Sequence, residues 1–116
     1  MITPKYEQQP KPTTAESAEA YAMVKFRSLG MCEICGKARA TETHHRLHRS
    51  HGGLDIIQNL LHVCGWGNHT GCHGDAHSRS DRYDNGWAVR TGNDPALRPV
   101  LYRGRLRMLT ADGWAV

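Results

Sequence analysis

The segment TETHHRLHRSHGG, residues 41–53, carries four histidines and two arginines. The threonines before the histidine pair favour a β-strand that runs into it. Because successive side chains along a strand point to opposite faces, the adjacent His44 and His45 are not expected to bind one ion together. The pattern predicts a division of labour, with one histidine on a metal and the other facing another part of the same site. Residues 46–55 are predicted to form a basic loop.

The chain contains four cysteines, and their positions favour a metal site. Cys32 and Cys35 have the Cys-x-x-Cys spacing of structural zinc sites, whereas seven residues separate Cys64 from Cys72. Tetrahedral zinc needs ligands that converge in space, and the glycine-rich insert GWGNHTG can loop out to bring the second pair together. We therefore predict a four-cysteine structural zinc site. A site of three cysteines with His69, and the absence of any metal, are the alternatives.

Two further histidines, His73 and His77, lie four residues apart in the segment CHGDAH. On a helix this spacing places both side chains on one face, where they can bind one ion. Gly74 stands where the zinc metalloprotease motif requires Glu, which argues against a protease. The interval from the Cys-x-x-Cys pair is too long for a zinc finger of two cysteines and two histidines.

The composition predicts a small intracellular protein that either binds a polyanion or is merely basic. A chain of 116 residues with 39% hydrophobic residues has a thin core, for which a structural metal compensates. The net charge is +4 and eleven of the fifteen basic residues are arginine, which suits bidentate contacts with phosphate. Neither a membrane-spanning apolar run nor an apolar leader segment is present. We therefore expect no membrane association and a reducing, cytoplasmic location, where cysteines bind metals rather than form disulfides.

The chain is predicted to be a single domain, residues 14–116, behind a flexible tail. Thr13 and Glu16 fit a capping box at the start of the first helix. Near the C-terminus a hairpin is predicted, with strands at Val100–Tyr102 and Arg105–Leu109 joined by a turn. The predicted segments are a tail at 1–13, a helix at 14–30, a core at 31–85 and a C-terminal hairpin region at 86–116.

In order, the segments THHR, NLLHVC and CHGDAH resemble the motif of the HNH endonuclease family. The flanking Cys-x-x-Cys and Cys-His pairs resemble its zinc-stapled bacteriophage members. The resemblance implies an α+β fold: a small ββα-metal core, also called the His-Me finger, with a structural four-cysteine zinc site, an N-terminal helix and a C-terminal β-hairpin. It also implies a metal-dependent DNA endonuclease that leaves 5′-phosphate and 3′-hydroxyl ends.

The resemblance further implies roles for individual residues. His45 is the general base, and Asn59 braces the loop that carries it. A catalytic divalent cation (Mg²⁺, Mn²⁺, Ni²⁺, Co²⁺ or Zn²⁺) is bound by His44, His73 and His77. Structural Zn²⁺ is bound by Cys32, Cys35, Cys64 and Cys72. Separately, the basic residues that flank the site are expected to contact DNA phosphates, and these are Arg46, Arg49, Arg79 and Arg82.

The other histidines are expected to be loop, surface or DNA-facing residues rather than ligands; they are His48, His51, His62 and His69. We further expect a bacteriophage-encoded monomer in the cytoplasm of the bacterial host, with a role in DNA packaging or processing. Its partners are DNA and the phage terminase or portal. Two alternatives stay open at this point: a zinc-stapled protein that binds DNA without cutting it, and a packaging accessory whose site has decayed.

Overall fold

The computed structural model describes residues 10–116, and its first element, helix α1, spans Thr14–Ser28. The predicted capping box is present, because the Thr13 hydroxyl accepts a hydrogen bond from the Glu16 amide and the Glu16 carboxylate accepts one from the Thr13 amide. The helix ends at Leu29, which adopts a left-handed conformation. Most of the predicted flexible tail, residues 1–9, lies outside the described residues.

Strands β1 (Glu42–His45) and β2 (Leu60–Val63) form an antiparallel pair. Every residue of β2 is buried, because the strand has apolar neighbours on both sides. Leu60 packs against helix α1, whereas Leu61 joins the main core. A glycine-rich loop then leads to helix α2 (Gly71–Ser78). The chain therefore places two strands and a helix in succession.

The C-terminal hairpin consists of strands β3 (Val100–Tyr102) and β4 (Arg105–Arg107). The second strand was predicted to continue to Leu109, but it ends earlier. Met108 exchanges two backbone hydrogen bonds with the C-terminal residue Val116, each 2.9 Å long, and this pairing draws the chain away from β3.

The described chain has two α-helices and two small antiparallel sheets, which confirms the α+β prediction. At its centre the Glu33 carboxylate is fully buried. Arg27 donates to both of its oxygens, at 2.7 and 3.0 Å, and the Tyr102 hydroxyl donates at 2.7 Å. A buried carboxylate is tolerated only when it is paired and hydrogen-bonded in this way. No helix within residues 10–116 has both the length and the apolar surface that a bilayer crossing requires.

Arg46 is completely buried, so the prediction that it contacts DNA is wrong. Its guanidinium donates hydrogen bonds to five backbone carbonyls, at distances from 2.7 to 3.3 Å. Burial lowers the pKa of Arg46 to about 10, so the group stays charged at neutral pH. These hydrogen bonds connect the end of β1 to the loops that follow α2. The acceptors are the carbonyls of Gln58, Gly86, Pro95, Arg98 and Pro99.

Replacing Arg46 with methionine is expected to destabilise the fold strongly. Methionine is of similar length but has no donor, so several buried carbonyls would lose their hydrogen bonds. We expect the free energy of unfolding to fall by roughly 3 kcal/mol or more, as measured by urea denaturation followed by circular dichroism. The matched control is Arg49→Met, at an exposed position on the next loop, with an expected change below about 1 kcal/mol. Equal stability of the two variants would contradict the structural role of Arg46.

Candidate active site and metal centres

Four cysteine side chains come together between the end of α1, the end of β2 and the start of α2. Their sulfur atoms all lie within 4.8 Å of one another, and Cys32 is fully buried. All four are free thiols rather than disulfides. Four convergent sulfurs are the donor set of a structural zinc site. The cluster can therefore hold a structural metal such as zinc; its members are Cys32, Cys35, Cys64 and Cys72.

The loop between Cys64 and Cys72 explains how a seven-residue interval still closes the cluster. Two glycines, Gly65 and Gly71, lie in backbone contact where the loop begins and ends. A Cβ on Gly71 would meet the Gly65 Cα at 2.7 Å, and both glycines have positive φ angles. Only glycine permits this approach without strain. His69 is exposed in this loop and is not a member of the sulfur cluster.

The thiol pKa values reflect the crowding of the four sulfurs. Burial raises the pKa of Cys32, and burial together with the neighbouring thiols raises that of Cys72. For Cys35, burial is outweighed by backbone amides and neighbouring thiols, which lower its pKa to about 7. Several thiolates cannot lie this close together without a cation between them. A bound metal is therefore needed for all four to ionise together at neutral pH.

Three histidines form a second cluster, with His44 on β1 and His73 and His77 on α2. One ring nitrogen of each lies within 4.8 Å of the other two, and the ring centroids are 4.9–5.1 Å apart. The Nε2 atoms of His73 and His77 are 3.3 Å apart. Two nitrogens bound to one tetrahedral ion at ~2.0–2.1 Å would lie about 3.4 Å apart. The cluster therefore has the dimensions of a metal site.

The hydrogen bonds of these three rings show which ring nitrogens are available to bind a cation. His44 donates from Nε2 to the Trp87 carbonyl at 2.6 Å, which leaves its buried Nδ1 as an acceptor without a partner in residues 10–116. The Nδ1 atom of His73 lies 3.0 Å from a Glu42 carboxylate oxygen, and its Nε2 points to the Nε2 of His77. Metal-binding histidines are typically fixed in this way through their second nitrogen. The donor set therefore fits a divalent cation.

The protonation states agree with this role, since only a neutral imidazole can bind a metal. Burial is the main cause that lowers the pKa of His44 to about 3, with a smaller contribution from the neighbouring histidines. Burial and the proximity of His73 and His48 lower the pKa of His77 to about 4. Both rings are therefore neutral at pH 7.

His45 follows His44 along β1 and is held by a separate set of partners. Its Nε2 lies 2.7 Å from the Asp55 carboxylate, and Arg49 lies beside both groups. Burial lowers the pKa of His45 below its ordinary value, although Asp55 opposes the shift. Arg49 and His73 also lower the pKa of His45. The ring is therefore neutral near pH 7, and its Nδ1 has no hydrogen-bond partner in the described chain.

Asn59 is fully buried beneath the loop that follows β1. Its side-chain oxygen accepts a hydrogen bond from the Leu47 amide at 2.7 Å, and its nitrogen donates to the carbonyls of Leu47 and Leu54 at 3.0 and 3.1 Å. These bonds fix both ends of the loop that carries Asp55. Asn59 can therefore position the site but cannot contact a substrate.

The three other arginines predicted to contact DNA lie at or near the surface. Arg49 is largely exposed and binds Asp55 and the Tyr21 hydroxyl. Arg79 is paired with Asp81 at 2.7 Å, which neutralises its charge. Arg82 has no carboxylate partner within residues 10–116, and its charge contributes to the low pKa of His77. Arg49 and Arg82 thus flank the histidines with accessible guanidinium groups.

Sequence reasoning missed several residues that complete the site. Asp55 and Glu42 were not singled out, because nothing in their local sequence marks a carboxylate as a partner of a distant histidine. His48 was expected to be a loop or surface residue, yet its ring lies 4.9 Å from that of His77. His62, expected in the same class, is buried, and its ring nitrogen lies 2.7 Å from the Ser28 hydroxyl. Such partners are set by tertiary packing rather than by spacing.

No protein-family model matches this chain, and neither does any curated protein or solved structure. Conclusions about its function therefore depend on the geometry of the two clusters and on the motifs in the sequence.

Proposed function

We propose that this protein is a metal-dependent DNA endonuclease of the HNH type, with β1, β2 and α2 as its ββα-metal core. One observation carries the proposal: ring nitrogens of three histidines converge to the dimensions of a metal site, and the adjacent His45 is oriented by a carboxylate. The net charge of +4 supports a polyanionic substrate. A bacteriophage origin, action as a monomer in the host cytoplasm and a terminase or portal partner belong to the same proposal.

In the proposed reaction, His45 removes a proton from the water that attacks the scissile phosphorus. Asp55 holds the imidazole through Nε2, so that Nδ1 faces the water, and stabilises the imidazolium that forms. The water oxygen bonds to phosphorus as the P–O3′ bond breaks, the phosphate stays on the 5′ end, and the leaving oxygen takes up a proton from solvent water to become a 3′-hydroxyl. His44, His73 and His77 would be the ligands of a divalent cation, which would supply Lewis-acid stabilisation of the phosphate charge and of the leaving oxygen. Arg49 is placed to bind a phosphate beside the base.

The cysteine cluster has a structural role in this proposal. Cys72 and His73 are adjacent in α2 but belong to different clusters. A zinc ion on the sulfurs would fix the first turn of α2, and with it the orientation of His73. Structural zinc and the catalytic cation are therefore coupled through one helix.

Cleavage of supercoiled plasmid DNA tests the proposed function. Zinc-loaded protein is expected to convert the plasmid to nicked or linear forms when Mg²⁺, Mn²⁺, Ni²⁺ or Co²⁺ is added, and EDTA is expected to stop the reaction. His73→Ala should abolish cleavage, whereas His69→Ala, at an exposed position outside both clusters, should not. Absence of cleavage with every divalent cation, combined with retained DNA binding, would instead favour the non-catalytic DNA-binding module.

The pH dependence of cleavage is expected to report the His45–Asp55 pair. The neutral form of His45 is the active one and its pKa lies below the ordinary 6.5, so the rate should fall only below about pH 6.5 and be level above it. Asp55 raises this pKa. Asp55→Asn keeps an acceptor but loses the charge, so the acid limb should move to lower pH.

Asp55→Ala also removes the acceptor that orients the ring, and its plateau rate is expected to fall roughly 10- to 100-fold. Both profiles are measured with the same plasmid assay at constant ionic strength. An acid limb at the same pH in wild type and Asp55→Asn would show that Asp55 does not act on the catalytic base.

A further inference from the structure

A cleft opens beside the histidine cluster, and the proposed reaction leaves it without a role. It has a volume of about 250 Å³, and its lining includes His48, His51, Tyr83, Ala88, Val89 and Arg90. We call it the histidine–tyrosine cleft. Its volume lies below the ~300–1,000 Å³ of pockets for drug-sized ligands, so it suits a single planar ring system. Because the ring centroids of His48 and His77 are 4.9 Å apart, the cleft adjoins the proposed cation site.

Aromatic rings line the histidine–tyrosine cleft. The rings of His48 and His51 are stacked, with centroids 5.6 Å apart and planes inclined by 16°. Their nitrogens form no hydrogen bond within the described chain, so the rings are not committed to an internal network. Tyr83 belongs to the same lining, and Ala88 and Val89 add apolar surface. The two histidine rings, rather than the Tyr83 ring over which the Arg82 and Arg90 guanidinium groups lie, offer flat surfaces on which nucleobases stack, independent of base identity.

Two arginine side chains place positive charge next to the Tyr83 ring. The guanidinium groups of Arg90 and Arg82 lie 4.0 and 4.5 Å from the centroid of the Tyr83 ring. Neither arginine forms an ion pair with a carboxylate in residues 10–116, in contrast to Arg79, which is bound by Asp81. Arg90 is exposed. Two unpaired guanidinium groups next to aromatic rings favour a ligand that carries both a base and a phosphate.

We propose that the histidine–tyrosine cleft is the subsite for the nucleotide next to the scissile phosphodiester. Its base lies against the aromatic lining, and Arg82 and Arg90 bind its phosphate. This inference rests on the proposed function, because it assigns the adjoining histidine cluster to the scissile phosphate. A base in a duplex is stacked and paired, so only an unpaired base can enter the cleft. The preferred substrate is therefore single-stranded DNA or a locally unpaired strand.

Fluorescence anisotropy with a labelled short oligothymidylate tests the subsite. The protein carries one equivalent of zinc, and no other divalent cation is added, so binding is measured without cleavage. Tyr83→Ala and Arg90→Ala are each expected to weaken binding of the single strand about tenfold. Tyr83→Phe keeps the ring and should bind like wild type. Arg105→Ala removes an exposed arginine on β4, away from the cleft, and is the matched charge control with unchanged affinity.

Thermal melts and zinc content confirm that each variant is folded, and the exposed Arg90 provides a test even if Tyr83→Ala does not fold. Wild-type affinity in Arg90→Ala and Tyr83→Ala would overturn the subsite, as would a duplex of the same sequence bound as tightly as the single strand. Cleavage of supercoiled plasmid and of single-stranded circular DNA is scored separately. If wild type binds the strand through the cleft but cuts neither DNA, the endonuclease proposal fails and the cleft stands as a nucleotide-binding site. If wild type cuts while the variants bind normally, only the subsite fails.

Discussion

Replacing His45 with alanine is expected to lower the rate of DNA cleavage by about 10²–10⁴-fold, the usual contribution of a positioned general base. His45 is a neutral imidazole with a free Nδ1 and a carboxylate at its Nε2. No other side chain in the described residues combines these features next to the histidine cluster. Because His45 is not a member of the three-histidine cluster, the variant should keep its metal content. It should also keep its affinity for DNA.

The specificity of the His45 result depends on its controls. His69→Ala replaces an exposed histidine and should cut at the wild-type rate. His73→Ala should also fail to cut, but it should lose the second cation, which His45→Ala retains. Metal content is measured by elemental analysis of the dialysed proteins, and folding by circular dichroism. A folded His45→Ala variant that cuts at the wild-type rate would contradict the assignment of the base.

Replacing Cys32 with serine is expected to remove the cooperative thermal transition of the protein. Cys32 is fully buried and packs within the main core. Structural zinc contributes about 10–16 kcal/mol in small zinc domains, which is comparable to the ~5–15 kcal/mol total stability of a typical domain. A core this small cannot make up for such a loss. The transition is followed by circular dichroism, and the bound zinc is measured in the same sample.

Treating wild type with a strong chelator should reproduce the behaviour of Cys32→Ser, and added zinc should restore the transition in wild type alone. Loss of cleavage in Cys32→Ser is expected as well, because α2 carries both Cys72 and two of the histidine ligands. A variant that melts like wild type and contains the same amount of zinc would show that the cysteine cluster is not a structural metal site.

Features set by local sequence could be predicted. The capping box at Thr13 and Glu16 depends on residues three apart, and the helix begins at Thr14 as predicted, although it ends at Ser28, two residues before the predicted end. The alternation along β1 separates His44 from His45, as the strand period requires. Glycine is a poor helix former, but a Cβ at Gly74 in α2 would meet the His69 backbone at 2.7 Å. This close packing explains why glycine occupies the position.

Features set by distant parts of the chain could not be predicted. Arg46 was predicted to contact DNA phosphates because it flanks the histidines. Its five acceptors are instead supplied by turns and loops that no spacing rule connects to β1. Asp55 orients His45, and the Trp87 carbonyl orients His44. Tertiary packing places both partners, so the local sequence does not reveal them. The histidine–tyrosine cleft likewise joins the loop after β1 to the segment after α2.

The number of divalent cations bound per chain tests most directly whether the histidine cluster is a site of its own. Wild type is expected to hold zinc on the four cysteines and a second, weaker cation on His44, His73 and His77. His73→Ala should retain the zinc and lose the second cation. Titration calorimetry of zinc-loaded protein with Ni²⁺ or Mn²⁺, combined with elemental analysis, gives both numbers. One cation per chain in wild type, unchanged in His73→Ala, would contradict a catalytic metal centre in this protein.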